Sequence, residues 1–196
     1  MSKVFGLCYD MKKLWGNRET KGVSHLHHKE QNIILIGMMG TGKSTVGEIL
    51  AAELGYTLID LDAVIVADAG MTIPEMFELH GEAYFRQAET DALRKVVSAG
   101  GRQIIATGGG AVLNPVNCEL MSGGGLVVAL TAQAEEIIER VKGDSNRPLL
   151  AGNAEERIRT ILEERKHAYQ FAHCTVDTSR LGADEVAQFI LTHYRV

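Results

Sequence analysis

The stretch IILIGMMGTGKSTVGEIL, residues 33 to 50, passes from an apolar β-branched segment through closely spaced glycines into an amphipathic one. Within it, Gly37-x-x-x-x-Gly42-Lys43-Ser44 has the spacing of a phosphate-binding loop set between a strand and a helix. Glycines let such a loop turn its backbone N–H groups inward on a polyphosphate, and the helix that follows offers its partly positive N-terminus to the same anion. Gly40, Thr41, Gly42, Lys43, Ser44 and Thr45 are therefore the candidate nucleotide-binding residues. Lys43 would reach the outer phosphates, and the Ser44 hydroxyl is a hard oxygen ligand suited to Mg²⁺. A nucleoside triphosphate is the first expectation.

The chain has 196 residues, 45% hydrophobic and 23% charged, enough to bury one real core as a soluble globular protein. No apolar run approaches the roughly 20 residues of a membrane span, so membrane insertion is not expected. A formal net charge of −5 gives no overall attraction to nucleic acid, and any basic residue that binds an anion must act through its position. Cys8, Cys118 and Cys174 are widely spaced and odd in number, which suits a reducing cytosol and a cytoplasmic protein. Residues 1–31 carry neither the apolar core of a secretory signal nor a clean period and read as a flexible extension. His25, His27 and His28 in it are given no role, because histidines in a polar tail are more often solvated than metal-bound. Nothing argues for an oligomer, and a monomer is the expectation.

From residue 32 onward, short apolar strands near 33–36, 57–60, 103–106, 126–130 and 174–177 alternate with helices. That alternation is expected of a three-layer α/β/α domain with a five-stranded parallel sheet. Thr72-Ile73-Pro74-Glu75 reads as a capping box with proline in the first turn, Asn114-Pro115 as a cap before proline, and Asn153-x-x-Glu156 as a further cap. Gly55 ends the helix after the loop, and Gly100-Gly101 end a long helix starting near Gly81. Residues 142–155, KGDSNRPLLAGNAE in essence, break a helical pattern with Gly, Asn and Pro where a mobile lid would be inserted.

The second strand ends in LIDLDAV, which puts Asp60 and Asp62 at the ligand edge of an open α/β sheet. If the strand alternation continues, both carboxylates face the phosphate loop, one for a magnesium shell and one for an attacking hydroxyl; helix-capping aspartates are the alternative. Gly108-Gly109-Gly110 after the third strand imply close backbone approach, to a ligand or to the phosphate loop, unless they form a plain tight turn. Arg86 has Glu89 three residues on, and Arg165 stands on the stripe Ile158, Ile161, Leu162, where the period calls for an apolar residue. Each arginine needs an anionic partner, internal or external. Arg147, within the expected lid, is placed either to swing over a phosphate or to remain a solvated charge.

Taken in order, GMMGTGKST, DLD, GEAYFRQAE, TGGGAV, RPLLAG and the ER before KHAY make the chain from about residue 32 to 192 resemble the shikimate kinases. The resemblance implies a P-loop kinase of the nucleoside-monophosphate-kinase type. Such an enzyme uses ATP and Mg²⁺ to phosphorylate the 3-hydroxyl of shikimate, giving shikimate 3-phosphate for chorismate and aromatic amino-acid biosynthesis. It further implies Lys43 on the phosphates, Ser44 and Asp60 supporting the metal, and Asp62 orienting the hydroxyl. Arg86 and Arg165 would clamp the substrate carboxylate, and Gly109 would offer backbone contacts. Arg147 would meet the transferring phosphoryl group, with Arg140 and Arg180 beside the adenine.

Two rivals make different demands. A gluconate-kinase-like enzyme would share the loop and lid without needing the paired aspartates, both arginines and the glycine triplet together. A non-catalytic ATP-binding module could dispense with Lys43 or Asp62, which this sequence keeps.

Overall fold

The computed structural model describes residues 31–141 and 154–194. Five parallel strands lie in the order β2-β3-β1-β4-β5: β1 (Asn32–Ile36), β2 (Thr57–Asp60), β3 (Gln103–Ala106), β4 (Gly125–Thr131) and β5 (Cys174–Asp177). The strands fall where the apolar runs predicted them, with β1 and β4 one or two residues longer. Around them are α1 (Lys43–Leu54), α2 (Leu61–Ala69), α3 (Ile73–Ser98), α4 (Pro115–Gly124), α5 (Ala134–Val141), α6 (Ala154–Arg165) and α7 (Ala183–Tyr194).

All five residues of β1 are buried, as a central parallel strand covered on both faces requires. Side chains alternate along it and sort two cores. Ile34 and Ile36 join Ile105, Val127 and Ala129 against α2, α3 and α4, through Leu61, Ile65, Leu93 and Met121. Ile33 and Leu35 join Ile104, Val128 and Leu130 against α1 and α7, through Val46, Leu50, Val186 and Ile190. A third, smaller cluster packs Met38 of the phosphate loop on Ile137, Ile138, Val141 and Ile158, from the two helices α5 and α6.

The chain leaves β1, passes β3 to form β2, returns to β3 and then crosses β1 to reach β4. The order reverses at β1, and an open α/β sheet opens its ligand crevice at the carboxyl ends of the strands beside such a point.

Several expected boundaries are realised atom by atom. The Thr72 hydroxyl accepts the Glu75 N–H while the Glu75 carboxylate accepts the Thr72 N–H, closing the capping box. Asn114 Oδ1 accepts the Val116 N–H, with Pro115 opening α4. The expected Asn153 cap lies outside the described residues. Within α3, Gly81 has φ 79° and ψ 176°, a region that only glycine occupies readily, so the helix is two segments joined at a break. The segment beyond the break is the long helix expected to start near Gly81.

Two contacts fasten the edges of the sheet. His173 donates its backbone N–H to Val127 O at 2.9 Å and accepts the Val127 N–H on Nδ1 at 2.9 Å, extending the β4–β5 pairing by one residue through a side chain. Burial lowers the His173 pKa, which keeps Nδ1 available as an acceptor. At the amino edge, the Tyr194 hydroxyl at the end of α7 donates to Gln31 O at 2.7 Å and lies 3.0 Å from the Tyr56 hydroxyl.

Candidate active site

The phosphate loop closes between β1 and α1. At Gly37, φ is 142°, and a Cβ would fall 2.2 Å from Leu130 O, so glycine is demanded by both conformation and space. Lys43 folds its ammonium back onto Gly37 O and Met38 O, each at 2.9 Å, and the Thr41 hydroxyl donates to Met38 O at 2.8 Å. Ser44 and Thr45 stand exposed in the first turn of α1. The loop is thus preorganised largely by its own side chains closing on its own main-chain carbonyls.

One side chain from α5 fastens this loop from outside. Arg140 donates to Gly40 O at 3.2 Å and to the Thr178 hydroxyl and carbonyl at 3.1 and 2.8 Å. The buried Thr178 hydroxyl lies 3.3 Å from Thr41 O and 3.1 Å from Thr131 O, so the phosphate loop, β4 and the turn after β5 meet at one group. Arg180, two residues on, is exposed.

The paired aspartates differ from the expectation that strand alternation would aim both at the loop. Only Asp60 belongs to β2. It is that strand's last residue and the N-cap of α2, its Oδ1 accepting the N–H groups of Asp62 at 2.9 Å and Ala63 at 3.3 Å. Asp62 sits in the first helical turn, so period-two alternation does not apply to it. Its carboxylate reaches the glycine turn by another route: a Cβ on Gly108 would stand 2.9 Å from Asp62 Oδ1 and 3.3 Å from Glu89 Oε1.

The glycine triplet is the meeting place of the remaining groups. A Cβ on Gly109 would lie 3.4 to 3.6 Å from the backbone of Gly37, Met38 and Met39, so this turn packs directly on the phosphate loop. A Cβ on Gly110 would lie 2.8 Å from Arg86 Nη1. Gly109 O accepts from Arg165 Nη1 at 3.0 Å and from the Tyr169 hydroxyl at 3.2 Å. Arg86 meets two glutamates of its own helix, Glu82 and Glu89. Burial raises the Glu89 pKa, with Asp62 adding to that rise and Arg86 and Arg165 opposing it. Two arginines, an aspartate and a buried glutamate therefore share one electrostatic neighbourhood beside the loop.

Of the residues singled out in the sequence, Lys43, Asp62, Arg86, Gly109 and Arg165 are brought to this junction, Asp60 and Ser44 lie at the carboxyl edge, and Arg147 falls outside the described residues. Thr178, Tyr169 and Glu82 were not singled out. Tyr169 and Glu82 stand four residues from Arg165 and Arg86, a helical spacing that signals neighbours, whereas nothing local marks Thr178.

Among the described residues no helix is long and apolar enough to cross a membrane, and no three His, Cys, Asp or Glu side chains gather as a metal cage.

A family model described as shikimate kinase matches residues 39–195. A shikimate kinase of Geobacter sulfurreducens is 47% identical over 166 residues, 84% of this chain and 91% of its own length. One from Caldanaerobacter subterraneus subsp. tengcongensis is 44% identical, covering 84% of this chain and 96% of its own. Among solved structures, shikimate kinase from Acinetobacter baumannii in complex with shikimate superposes with a TM-score of 0.78 at 41% identity, over 83% of this chain and 92% of that one. The Bacteroides thetaiotaomicron enzyme gives 0.77 at 30% identity, over 85% and 99%. With a loop built for phosphates, an arginine-lined junction beside it and relatives that match along most of their length, the chain belongs to the shikimate kinase family.

Proposed function

We propose that this protein transfers the γ-phosphoryl group of ATP to the 3-hydroxyl of shikimate, giving shikimate 3-phosphate in the route to chorismate and the aromatic amino acids. The observation that carries this reading is the convergence of Asp62, Arg86 and Arg165 on Gly108–Gly110, packed against the phosphate loop. Shikimate is a small rigid polyol with a single carboxylate. Two guanidinium groups fix that end, so the ring presents one hydroxyl to the γ-phosphate in a defined pose.

In this reading Arg86 and Arg165 bind the carboxylate. Gly109 contributes its N–H, because its carbonyl already receives Arg165 and Tyr169. Asp62 accepts a hydrogen bond from the 3-hydroxyl and takes its proton as the oxygen attacks. Lys43 and the loop N–H groups hold the phosphates, Arg140 and Arg180 flank the adenine, and Arg147 from the expected lid near 142–155 brings charge to the transferring group. Positioning and charge neutralisation are most of what phosphoryl transfer asks of a protein.

The donor set suits Mg²⁺, which takes oxygen ligands, keeps several waters and is held by one or two protein groups plus phosphates. The Ser44 hydroxyl and the exposed Asp60 carboxylate, both at the carboxyl edge, are the groups that would hold it. When bound, the ion neutralises charge on the outer phosphates. The enzyme works in the cytoplasm, a reading supported by its three widely spaced cysteines, which suit a reducing compartment, and as a monomer, since nothing in the sequence argues for an oligomer.

The test is ADP release from Mg-ATP with shikimate, with gluconate and with no acceptor. Release specific to shikimate supports the assignment. Release with gluconate overturns the assignment of shikimate as the acceptor, and ATP binding with silence toward every acceptor points to a non-catalytic module.

A further inference from the structure

Arg86 carries five N–H groups in one plane. Three are engaged within its own helix: Nε and Nη2 donate to Glu82 Oε1 at 3.2 and 3.1 Å, and Nη1 donates to Glu89 Oε2 at 3.0 Å. One N–H on Nη1 and one on Nη2 remain for a ligand. These two nitrogens are also the atoms nearest the Gly110 turn, 2.8 and 3.0 Å from where a Cβ would stand.

The two glutamates are not equivalent. Glu89 is 1% exposed and held by burial, whereas Glu82 is 66% exposed and follows directly on the Gly81 break. As charge alone, an acidic group this close to an anion-binding arginine works against the substrate. As an exposed pair four residues apart on a helix, it adds little to stability. Its geometry is what distinguishes it: one oxygen takes both N–H groups of the Nε–Nη2 edge and so prevents the guanidinium from offering that edge to a ligand.

We propose that Glu82 is a positioning residue that fixes which edge of Arg86 faces the substrate carboxylate. The inference rests on the reading of Arg86 as a ligand of that carboxylate, and the experiment separates the two. Glu82→Ala, Glu82→Gln and Arg86→Ala are compared with wild type by shikimate titration calorimetry without nucleotide, and by steady-state KM and kcat for both substrates.

Glu82→Ala is expected to weaken shikimate binding and raise its KM by roughly 5–20-fold, with kcat and the ATP KM within about 2-fold, since charge-assisted geometry is lost without loss of the arginine. Glu82→Gln keeps an oxygen that accepts both N–H groups and is expected to stay within about 3-fold of wild type. The thermal midpoints of both variants should lie within about 2 °C of wild type, as for an exposed pair.

Shikimate affinity unchanged or tightened in Glu82→Ala overturns the proposal, as does a Glu82→Gln variant as weak as Glu82→Ala, because charge rather than geometry would then be at work. If Arg86→Ala itself binds shikimate normally, the reading of Arg86 fails. If Arg86→Ala is impaired and Glu82→Ala is not, only the positioning role fails.

Discussion

The two halves of the catalytic cleft are built on opposite plans. At the phosphate end the loop closes mainly on itself, Lys43 onto Gly37 and Met38 and Thr41 onto Met38, with Arg140 and Thr178 bracing it from distant parts of the chain. At the acceptor end, side chains from α2, α3 and the end of α6 are brought to a turn after β3, and none of them is near the others in sequence except Arg86 and its glutamates. A phosphate tail is common to many substrates and can be met by a local backbone device. A particular acceptor must be recognised from several directions, which only tertiary packing provides.

If that division is right, damage to one end should leave the other intact. The largest effect is expected of Asp62→Asn, which should fold and bind ATP normally while ADP release with shikimate falls by about 10²–10⁴-fold, the range for loss of general base assistance. A variant that remains active would remove Asp62 from proton transfer. Next, Arg86→Ala should weaken shikimate binding by about 1.5–3 kcal/mol, as expected for a charged hydrogen-bonding group, with ATP affinity near normal. Parallel loss of both ligands would mean that the two ends are not separable at this arginine.

The reciprocal change is smaller. Thr178→Val removes the hydroxyl that joins Arg140, the phosphate loop and β4, and should weaken ATP by about 0.5–1.5 kcal/mol without altering shikimate affinity. Calorimetry with each ligand reads this directly, and a shikimate effect of equal size would break the comparison from the other side.

The smallest effect belongs to neither end. Because burial depresses the His173 pKa in the folded protein, the unfolded chain binds the proton more readily. The stability due to neutral His173 is present above its ordinary pKa near 6.5 and is lost as pH falls below it toward the depressed value. Thermal midpoints should fall more steeply on acidification from pH 7 in wild type than in His173→Gln, whose amide oxygen accepts the same N–H without titrating. Equal slopes would show that Nδ1 is not the sensitive group.

The same contrast explains how much of the molecule could be read in advance. The strands were legible because buried parallel strands are short continuous apolar runs, and the phosphate loop because its residues are contiguous from Gly37 to Thr45. Arg86 stands out through Glu89 three residues on, and Arg165 through its place on an apolar stripe, yet their convergence was available only through resemblance to a family. Asp62 was misplaced because an alternation rule was carried past the residue that ends the strand: Asp60 caps a helix there, and the geometry changes to a helical turn. Thr178 stayed invisible because its partners Thr41, Thr131 and Arg140 are between 38 and 137 residues away. Of the expected lid at 142–155, residues 142–153, Arg147 among them, lie outside those described, and Ala154 and Glu155 open α6.

The clasp of Tyr194 on Gln31, beside Tyr56, has a practical meaning. It gathers the start of β1 and the end of α7 on the amino edge of the sheet, while the groups proposed to meet nucleotide and acceptor lie at the carboxyl edge. A tether or fusion attached at either end of the domain therefore pulls on the same far face. The enzyme can be anchored to a surface by its N-terminal or its C-terminal side with the cleft still turned toward solution.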